Sequence, residues 1–380
     1  MQGVEDLVGR IQHEVDKGSL PGAQIAFARE GEVLALHSFG EAQPGVATTD
    51  LTRFTLFSTT KPLVAAGLWL ALSEALIPYE TTVASLFPAF ADNGKQNVTI
   101  EQVLLHTCGF PSAPMGPPVW FERDARRDKM ASWRLNYEPG TQCQYHASSA
   151  HWVLAELIEI ITGTPYCDYI DEQVTTPLGL PRVLGIPLDA QESIAEIQQV
   201  GALPTQRELA AILGQPTDGV PDTPVETGGE LDGSLLVRYN DPAQRALGVP
   251  GAGGVATAAT LALFYQALLH NHGDLWPQGV LKDALTNVRT KLVDPLRQVP
   301  ALRTAGLILA GDDGNAGRRG FGDGCSAGTF GHDGVGGQLA WADPETGISF
   351  CFLVNALERN LITERKRSYG VAQRASEVRP

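Results

Sequence analysis

The run from Pro62 to Leu72 constrains this chain more than any other stretch. Leu63, Val64, Leu68, Trp69, Leu70 and Leu72 leave no polar face at helical spacing. A helix that is hydrophobic all round has to be buried, so the remaining elements must wrap around it. The helix is expected to run from Ser58 to about Ala75, with Pro62 in the first turn, where a missing N–H costs little. Its head reads Phe57-Ser58-Thr59-Thr60-Lys61. Residues three apart share a helix face, so the Lys61 ammonium can reach the Ser58 hydroxyl. A serine hydroxyl becomes an effective nucleophile once a neighbouring base takes its proton, and a rigid buried support holds such a pair better than a loop does. The competing reading is a core helix that happens to begin with serine.

The chain has 380 residues, 43% hydrophobic and 19% charged, ample for a large core. It reads as one catalytic unit over 1–380. A sheet part comes from about 1–60 and 250–380, and a mainly helical part from about 61–250 with an irregular segment at 181–250. A formal net charge of -15 argues against a general nucleic-acid surface, which needs a basic patch. Arg123 to Lys129 is locally basic but interrupted by acids, and reads as a solvated surface segment. The N-terminus shows no basic and apolar signal-peptide regions, and no apolar run approaches a membrane span. Cys108, Cys143, Cys167, Cys325 and Cys351 are odd in number and scattered, which fits reduced thiols in a cytoplasmic protein. Neither C-x-x-C nor H-E-x-x-H occurs, so a metal site has little support.

Taken in order, Val4, Leu7, Val8, Ile11 and Val15 form an amphipathic helix closed by Lys17-Gly18. Ala23 to Ala28 and Val33 to Phe39 read as a hairpin about Glu30-Gly31. Thr99 with Gln102 forms a capping box for a helix that Gly109 ends, and His106 is expected to be a structural residue of that helix end. Tyr145 lies in the loop before an apolar helix, His151 to Ile161, stopped by Thr162-Gly163. A phenol can shuttle protons when nearby cations lower its pKa, although a loop tyrosine can equally cap the core. Gly214 to Gly233 reads as either a solvated insertion or a wall of a cleft, and Tyr239 can line a pocket. Gly251 to Thr257 lacks phosphate-loop spacing and is expected to pack tightly against a sheet, with Thr257 capping a helix from Ala258 to Leu269. Ala305 to Ala310, Gly328 to His332, Gln338 to Ala342 and Ile348 to Val354 read as strands, with Leu357 to Ala375 as a closing helix. Helix, hairpin, helices and returning strands indicate an α+β fold with an antiparallel sheet flanked by helices and a mainly helical subdomain.

Two serines compete for the chemistry. Gly324-Cys325-Ser326-Ala327-Gly328 matches G-x-S-x-G, but that motif belongs on a strand–turn–helix elbow, and no helix follows Ser326. The alternative set is Ser58, Lys61, Tyr145 and Gly331-His332-Asp333-Gly334-Val335. In order along nearly the whole chain, this set resembles the serine β-lactamase and penicillin-binding-protein-like hydrolases, above all the class C β-lactamases and the esterases that share their fold. Phe54 to Lys61 resembles the nucleophile motif, and Leu104 to Phe110 the "LLxHTSG" segment. Tyr137-Glu138-Pro139-Gly140 through Tyr145 resembles "F-x-P-G-x-x-x-x-Y-S-N", and Gly253-Gly254-Val255 resembles "GGL-x-S-T". Gly331-His332-Asp333-Gly334 stands in the place of the Lys-Thr-Gly strand.

The resemblance implies that Ser58 accepts the acyl group, that Lys61 and Tyr145 handle its proton, and that the Ser58 and Val335 N–H groups form an oxyanion hole. Such donors are worth a few kcal/mol each (about 3). A helix N-terminus favours the developing alkoxide, and a buried lysine loses its proton more readily. His332, Asp333, Gly334 and Tyr239 are the candidates for lining the substrate pocket. The family's Tyr-x-Asn is here Tyr145-His146-Ala147, so the amide is missing. Asp333 replaces a threonine and is expected to repel a β-lactam carboxylate. His332 can bond Tyr145 or the substrate, or serve the strand alone. The expectation is a serine hydrolase that cleaves short-chain carboxylic esters through an acyl-Ser58 intermediate. It needs no metal or organic cofactor, and its partner is a small-molecule ester. The rivals are an acyltransferase or amide hydrolase on the same fold (a weak β-lactamase or D-aminopeptidase) and a non-catalytic scaffold.

Overall fold

Apolar strands without alternation need cover on both faces, and the sheet is built around two of them. The computed structural model describes residues 1–212, 215–225 and 233–380. After helix α1 (Val4–Asp16), strand β1 (Gly22–Arg29) turns at Glu30 and Gly31, both at positive φ, into β2 (Glu32–Gln43). That backbone suits the right-handed twist of a two-residue hairpin. A short β3 (Val46–Ala47) follows at the edge. The sheet is completed from the far end of the chain by β4 (Ile308–Leu309), β5 (Phe330–Gly334), β6 (Gln338–Asp343) and β7 (Ile348–Val354). The order is β3-β2-β1-β7-β6-β5-β4, antiparallel throughout.

β1 and β7 lie at its centre, with Ala23 opposite Val354 and Arg29 opposite Ile348. Ile25 and Phe27 of β1 face a core formed with Leu7 and Ile11 of α1 and Val371 of the C-terminal helix. Ala26 and Ala28 face the larger core, which contains Leu261 and Phe264. Gln24, fully buried, is satisfied: its amide donates to Thr49 O and accepts from Ala258 N–H.

The apolar helix is where its composition requires. Ser58 lies in a 3-10 turn, Phe57–Thr60, which leads into α2 (Lys61–Glu74), and every residue from Lys61 to Leu72 is buried. The tighter turn brings side chains at i and i+3 into register. At Gly67 an added Cβ would lie 2.8 Å from Ile170 Cγ1, so glycine permits the close approach there. Trp69 donates from its indole to Ala305 O at 2.8 Å, tying α2 to the segment before β4.

The structure corrects several expectations. The capping box of Thr99 and Gln102 is present, but α3 (Ile100–Leu104) stops before His106, whose positive φ turns the chain away. The basic segment is helix α4 (Arg123–Ser132), not simply a solvated stretch: Arg126 is buried, and Arg123 binds Glu156 at 2.9 Å and Glu159 at 2.7 Å. These carboxylates lie on α5 (Ser149–Thr162), which ends at left-handed Gly163 as expected. Gly251 and Gly254 pack against the head of α2 rather than against a sheet, and Gly253 against Val249. An added Cβ at Gly254 would meet Thr60 Oγ1 at 2.7 Å, and Phe54–Thr55 pairs with Val255–Ala256. Thr257 caps α6 (Ala258–His270).

The strand expected at Ala305 to Ala310 shrinks to β4 because Gly306, at φ 106, comes against α2, where a Cβ would lie 2.5 Å from that of Ala65. The closing helix begins later than expected, as α7 (Leu361–Glu377), because Ala356–Glu358 forms a parallel pair with Gln198–Val200. A short helix occurs at Gln206–Ile212, and part of the 214–233 segment lies outside the described residues.

Leu68 is fully buried on α2. Leu68→Ala is expected to cost about 2–5 kcal/mol in urea unfolding, and a loss below about 1 kcal/mol would show that the helix does not organise the core.

Candidate active site

Ser58 sits between a strained residue and a buried lysine. Phe57, before it, has φ 45, a left-handed conformation that costs a non-glycine residue about 1–3 kcal/mol and recurs at functional sites. Tyr239 packs edge-on against the Phe57 ring at 5.6 Å and buttresses this turn from behind. Lys61 is fully buried. Its Nζ donates to Ser58 Oγ at 3.2 Å, Ala147 O at 2.9 Å and Gly251 O at 2.7 Å. Gly251 suits this close approach, since an added Cβ would lie 3.3 Å from Nζ, tighter than ordinary contact. Tyr145 Oη donates to Ser58 Oγ at 2.8 Å, so the serine oxygen receives hydrogen bonds from both Lys61 and Tyr145.

The loop bearing Tyr145 is held by histidines. His106 Nδ1 accepts from His146 N–H at 3.0 Å, and its ring lies 4.8 Å from that of Tyr145. His106 is thus a positioning residue, as expected of a structural histidine, but it acts from beyond the helix end. His146 points inward, with Nε2 accepting from Phe110 N–H at 3.1 Å and Nδ1 2.6 Å from Gln144 O. The replaced Tyr-x-Asn position therefore contributes a backbone group, Ala147 O, to Lys61. Burial lowers the pKa of all four histidines nearby. His106 and His151 fall well below the usual value, and His146 and His332 fall to about 3, so these rings are neutral at neutral pH. Burial pushes the Tyr145 phenol up, against the opposing pull of the Ser58 hydrogen bond and of Arg303.

β5 runs beside the serine turn. A Cβ at Gly334 would lie 3.1 Å from Leu56 O, and Val335 follows in a tight turn, Val335–Gly337. His332 does not bond Tyr145: the rings are 6.0 Å apart, His332 Nδ1 lies 2.6 Å from Asp333 O, and its buried Nε2 has no partner. Asp333 binds Arg297 at 2.6 Å. Burial works to raise the Asp333 carboxyl, but Arg297 prevails and holds it below its usual value. The repulsion expected from Asp333 is therefore largely compensated by Arg297. Arg303 is the other cation that the sequence reading missed, its guanidinium 5.6 Å from the Tyr145 ring centre. Neither arginine stands in a recognisable motif, so only spatial proximity reveals them. Ser326 is elsewhere engaged, with its hydroxyl donating to Asp343 at 2.7 Å in a turn. The five cysteines are free thiols. Among the described residues no cluster of His, Cys, Asp or Glu suits a metal, and no helix is long and apolar enough to cross a membrane.

A seven-stranded antiparallel sheet is thus backed by helices, and serine, lysine and tyrosine converge at the head of a buried helix. The Beta-lactamase family model matches residues 7–372, and the chain belongs to that family. It is 28% identical over 321 residues to the Esterase/beta-lactamase LipL of Mycobacterium tuberculosis, covering 81% of this chain and 70% of that protein. A penicillin-binding-protein homologue from Caulobacter crescentus superposes with a TM-score of 0.76 at 26% identity, covering 99% of this chain and 97% of that one. A family VIII carboxylesterase shares the fold with a TM-score of 0.76 at 24% identity, covering 98% of each chain. The family and its structural neighbours indicate a serine hydrolase of β-lactamase-like fold.

Arg297→Gln is expected to cost about 1–3 kcal/mol in urea unfolding by leaving Asp333 unpaired. Adding Asp333→Asn should recover part of that loss, and a coupling energy below about 0.5 kcal/mol would deny the pair its role.

Proposed function

We propose that this chain is a carboxylesterase acting on small esters through an acyl-Ser58 intermediate. The observation that carries the reading is the double hydrogen bond to Ser58 Oγ, from Lys61 Nζ and Tyr145 Oη, on a rigid buried helix. Ser58 Oγ attacks the acyl carbon as its proton passes to Lys61 in its neutral amine form, which hands it on through Tyr145. The carbonyl oxygen becomes an oxyanion facing the Ser58 and Val335 N–H groups. The alkoxide leaves with a proton from Tyr145, water attacks the acyl-serine by the reverse path, and Ser58 is regenerated. The raised phenol pKa suits Tyr145 to this donor step, because it keeps the proton until a leaving oxygen demands it. Asp333 and Gly334, half-buried on β5, line the approach, while His332 is buried and Tyr239 acts on the site through Phe57.

A second reading, amide or β-lactam hydrolysis at the same serine, gains from the Arg297–Asp333 pair. Without a net negative charge there, a substrate carboxylate meets less repulsion.

Ser58→Ala is expected to abolish hydrolysis of p-nitrophenyl butyrate and labelling by a fluorophosphonate, while Ser326→Ala keeps most of both. A Ser58→Ala enzyme with full activity would sink the mechanism, and a label mapped to Ser326 would move the nucleophile. Nitrocefin turned over faster than the esters would favour the second reading.

Tyr145→Phe is expected to lower kcat by roughly 10²–10⁴-fold. Unchanged kcat at neutral pH would remove Tyr145 from the proton path.

A further inference from the structure

One side chain joins the serine turn to the hairpin beside it. Gln338 opens β6 directly after the Val335–Gly337 turn, and it stands opposite Gly334 across the hairpin. It is fully buried. Its Nε2 donates to Thr55 O at 3.1 Å and to Val354 O at 2.8 Å, and its Oε1 accepts from Val354 N–H at 2.8 Å. Thr55 stands three residues before Ser58, and Val335 three residues before Gln338.

The two ends of this brace do different things. Leu339 is opposite Phe352, so a continued ladder would set Gly337 opposite Val354. Gly337 instead has φ 101 and belongs to the turn. The Gln338 amide serves both main-chain groups of Val354 in its place, which anchors the side chain to the end of the central strand β7. The other amide hydrogen then holds Thr55 O. At the next residue, a Cβ on Gly334 would lie 3.1 Å from Leu56 O, so the lead-in to the serine turn rests on the hairpin at two successive peptides. The far side of the turn is also seated: a Cβ on Gly336 would lie 2.6 Å from Ala356 O, and one on Gly337 2.7 Å from Ser368 Oγ.

We propose that Gln338 is a positioning residue for acyl transfer, which sets the distance between the Ser58 N–H and the Val335 N–H. The role rests on the reading of those two groups as the oxyanion donors. The donors come from segments far apart in sequence, and each must lie within hydrogen-bond reach of one oxygen. Filling a core position requires only apolar volume. An amide that satisfies main-chain groups on two other segments also fixes how far apart those segments lie. Phe57, strained at φ 45, links Leu56 to Ser58, so movement of the Thr55 and Leu56 peptides is passed on to the serine.

The test is kcat and KM on p-nitrophenyl butyrate, with Tm, for the full chain and its variants. Gln338→Met keeps the bulk and removes all three bonds. It should lose about tenfold to 10²-fold in kcat with KM little changed. Inhibition by a trifluoromethyl ketone, which Ser58 Oγ converts to a tetrahedral oxyanion, should weaken by a similar factor. Gln338→Asn, one methylene shorter, should fall between, and it carries the test if Gln338→Met does not fold. Asn355→Leu supplies the structural comparison. Asn355 is also a buried amide that holds main chain, accepting from Gly22 N–H at 2.8 Å and donating to Glu41 O and Ala42 O at 3.1 Å each, but on the β1–β2 side. It should lower Tm and keep most of the native kcat. Native kcat in a folded Gln338 variant overturns the proposal, and so does an equal kcat loss in Asn355→Leu. A crystal structure of the native chain with the ketone on Ser58 separates the two levels. If the adduct oxygen meets both N–H groups and the Gln338 variants keep kcat, the role of Gln338 alone falls. If that oxygen is bound by other donors, the oxyanion-hole reading falls and takes this role with it.

Discussion

A buried lysine holds this site together. Lys61 is fully enclosed, and its polar head is tolerated there only when its N–H donors find acceptors. Its acceptors are Ser58 Oγ on its own turn, Ala147 O beside Tyr145, and Gly251 O from a segment almost two hundred residues away in sequence. Satisfying one lysine thus joins three stretches of chain around Ser58. The same segment packs closely at two glycines: an added Cβ at 251 would crowd Lys61 Nζ at 3.3 Å, and one at 254 would overlap Thr60 Oγ1 at 2.7 Å.

The charge pattern around the phenol follows a similar logic. The chain as a whole carries a formal charge of -15, yet Lys61, Arg303 and Arg297 lie around Ser58 and Tyr145. The histidines packed there are neutral through burial, so the local field comes from fixed cations. Pre-placed positive charge and N–H dipoles stabilise an oxyanion without reorganising during the reaction. Asp333 does not cancel this field, because Arg297 pairs with it.

Much of the fold was legible from residue patterns. The amphipathic α1, the hairpin at Glu30-Gly31, the Thr99 capping box, the Gly163 stop and the strand Ile348–Val354 all emerged where local chemistry required them. Elements were misjudged where a distant neighbour overrode local preference. Gly306 is bent by contact with α2, and Ala356–Glu358 is drawn into a strand by Gln198–Val200. The segment Arg123–Ser132 looked solvated because Glu156 and Glu159, its counter-charges, lie on another helix.

By itself the sequence determined that a helix too apolar to be exposed must lie at the centre, that a serine and a lysine share one face of its first turn, and that Tyr145 stands in a loop before a second apolar helix. Those are statements about spacing and hydrophobicity, which are local. Only the tertiary structure decided that Tyr145 donates to Ser58, that two backbone carbonyls clasp Lys61, that Arg297 neutralises Asp333, and that Arg303 faces the phenol. Each depends on groups remote in sequence meeting within a few ångströms. Hydrogen bonds and charge pairing act through space, and no spacing along the chain encodes them.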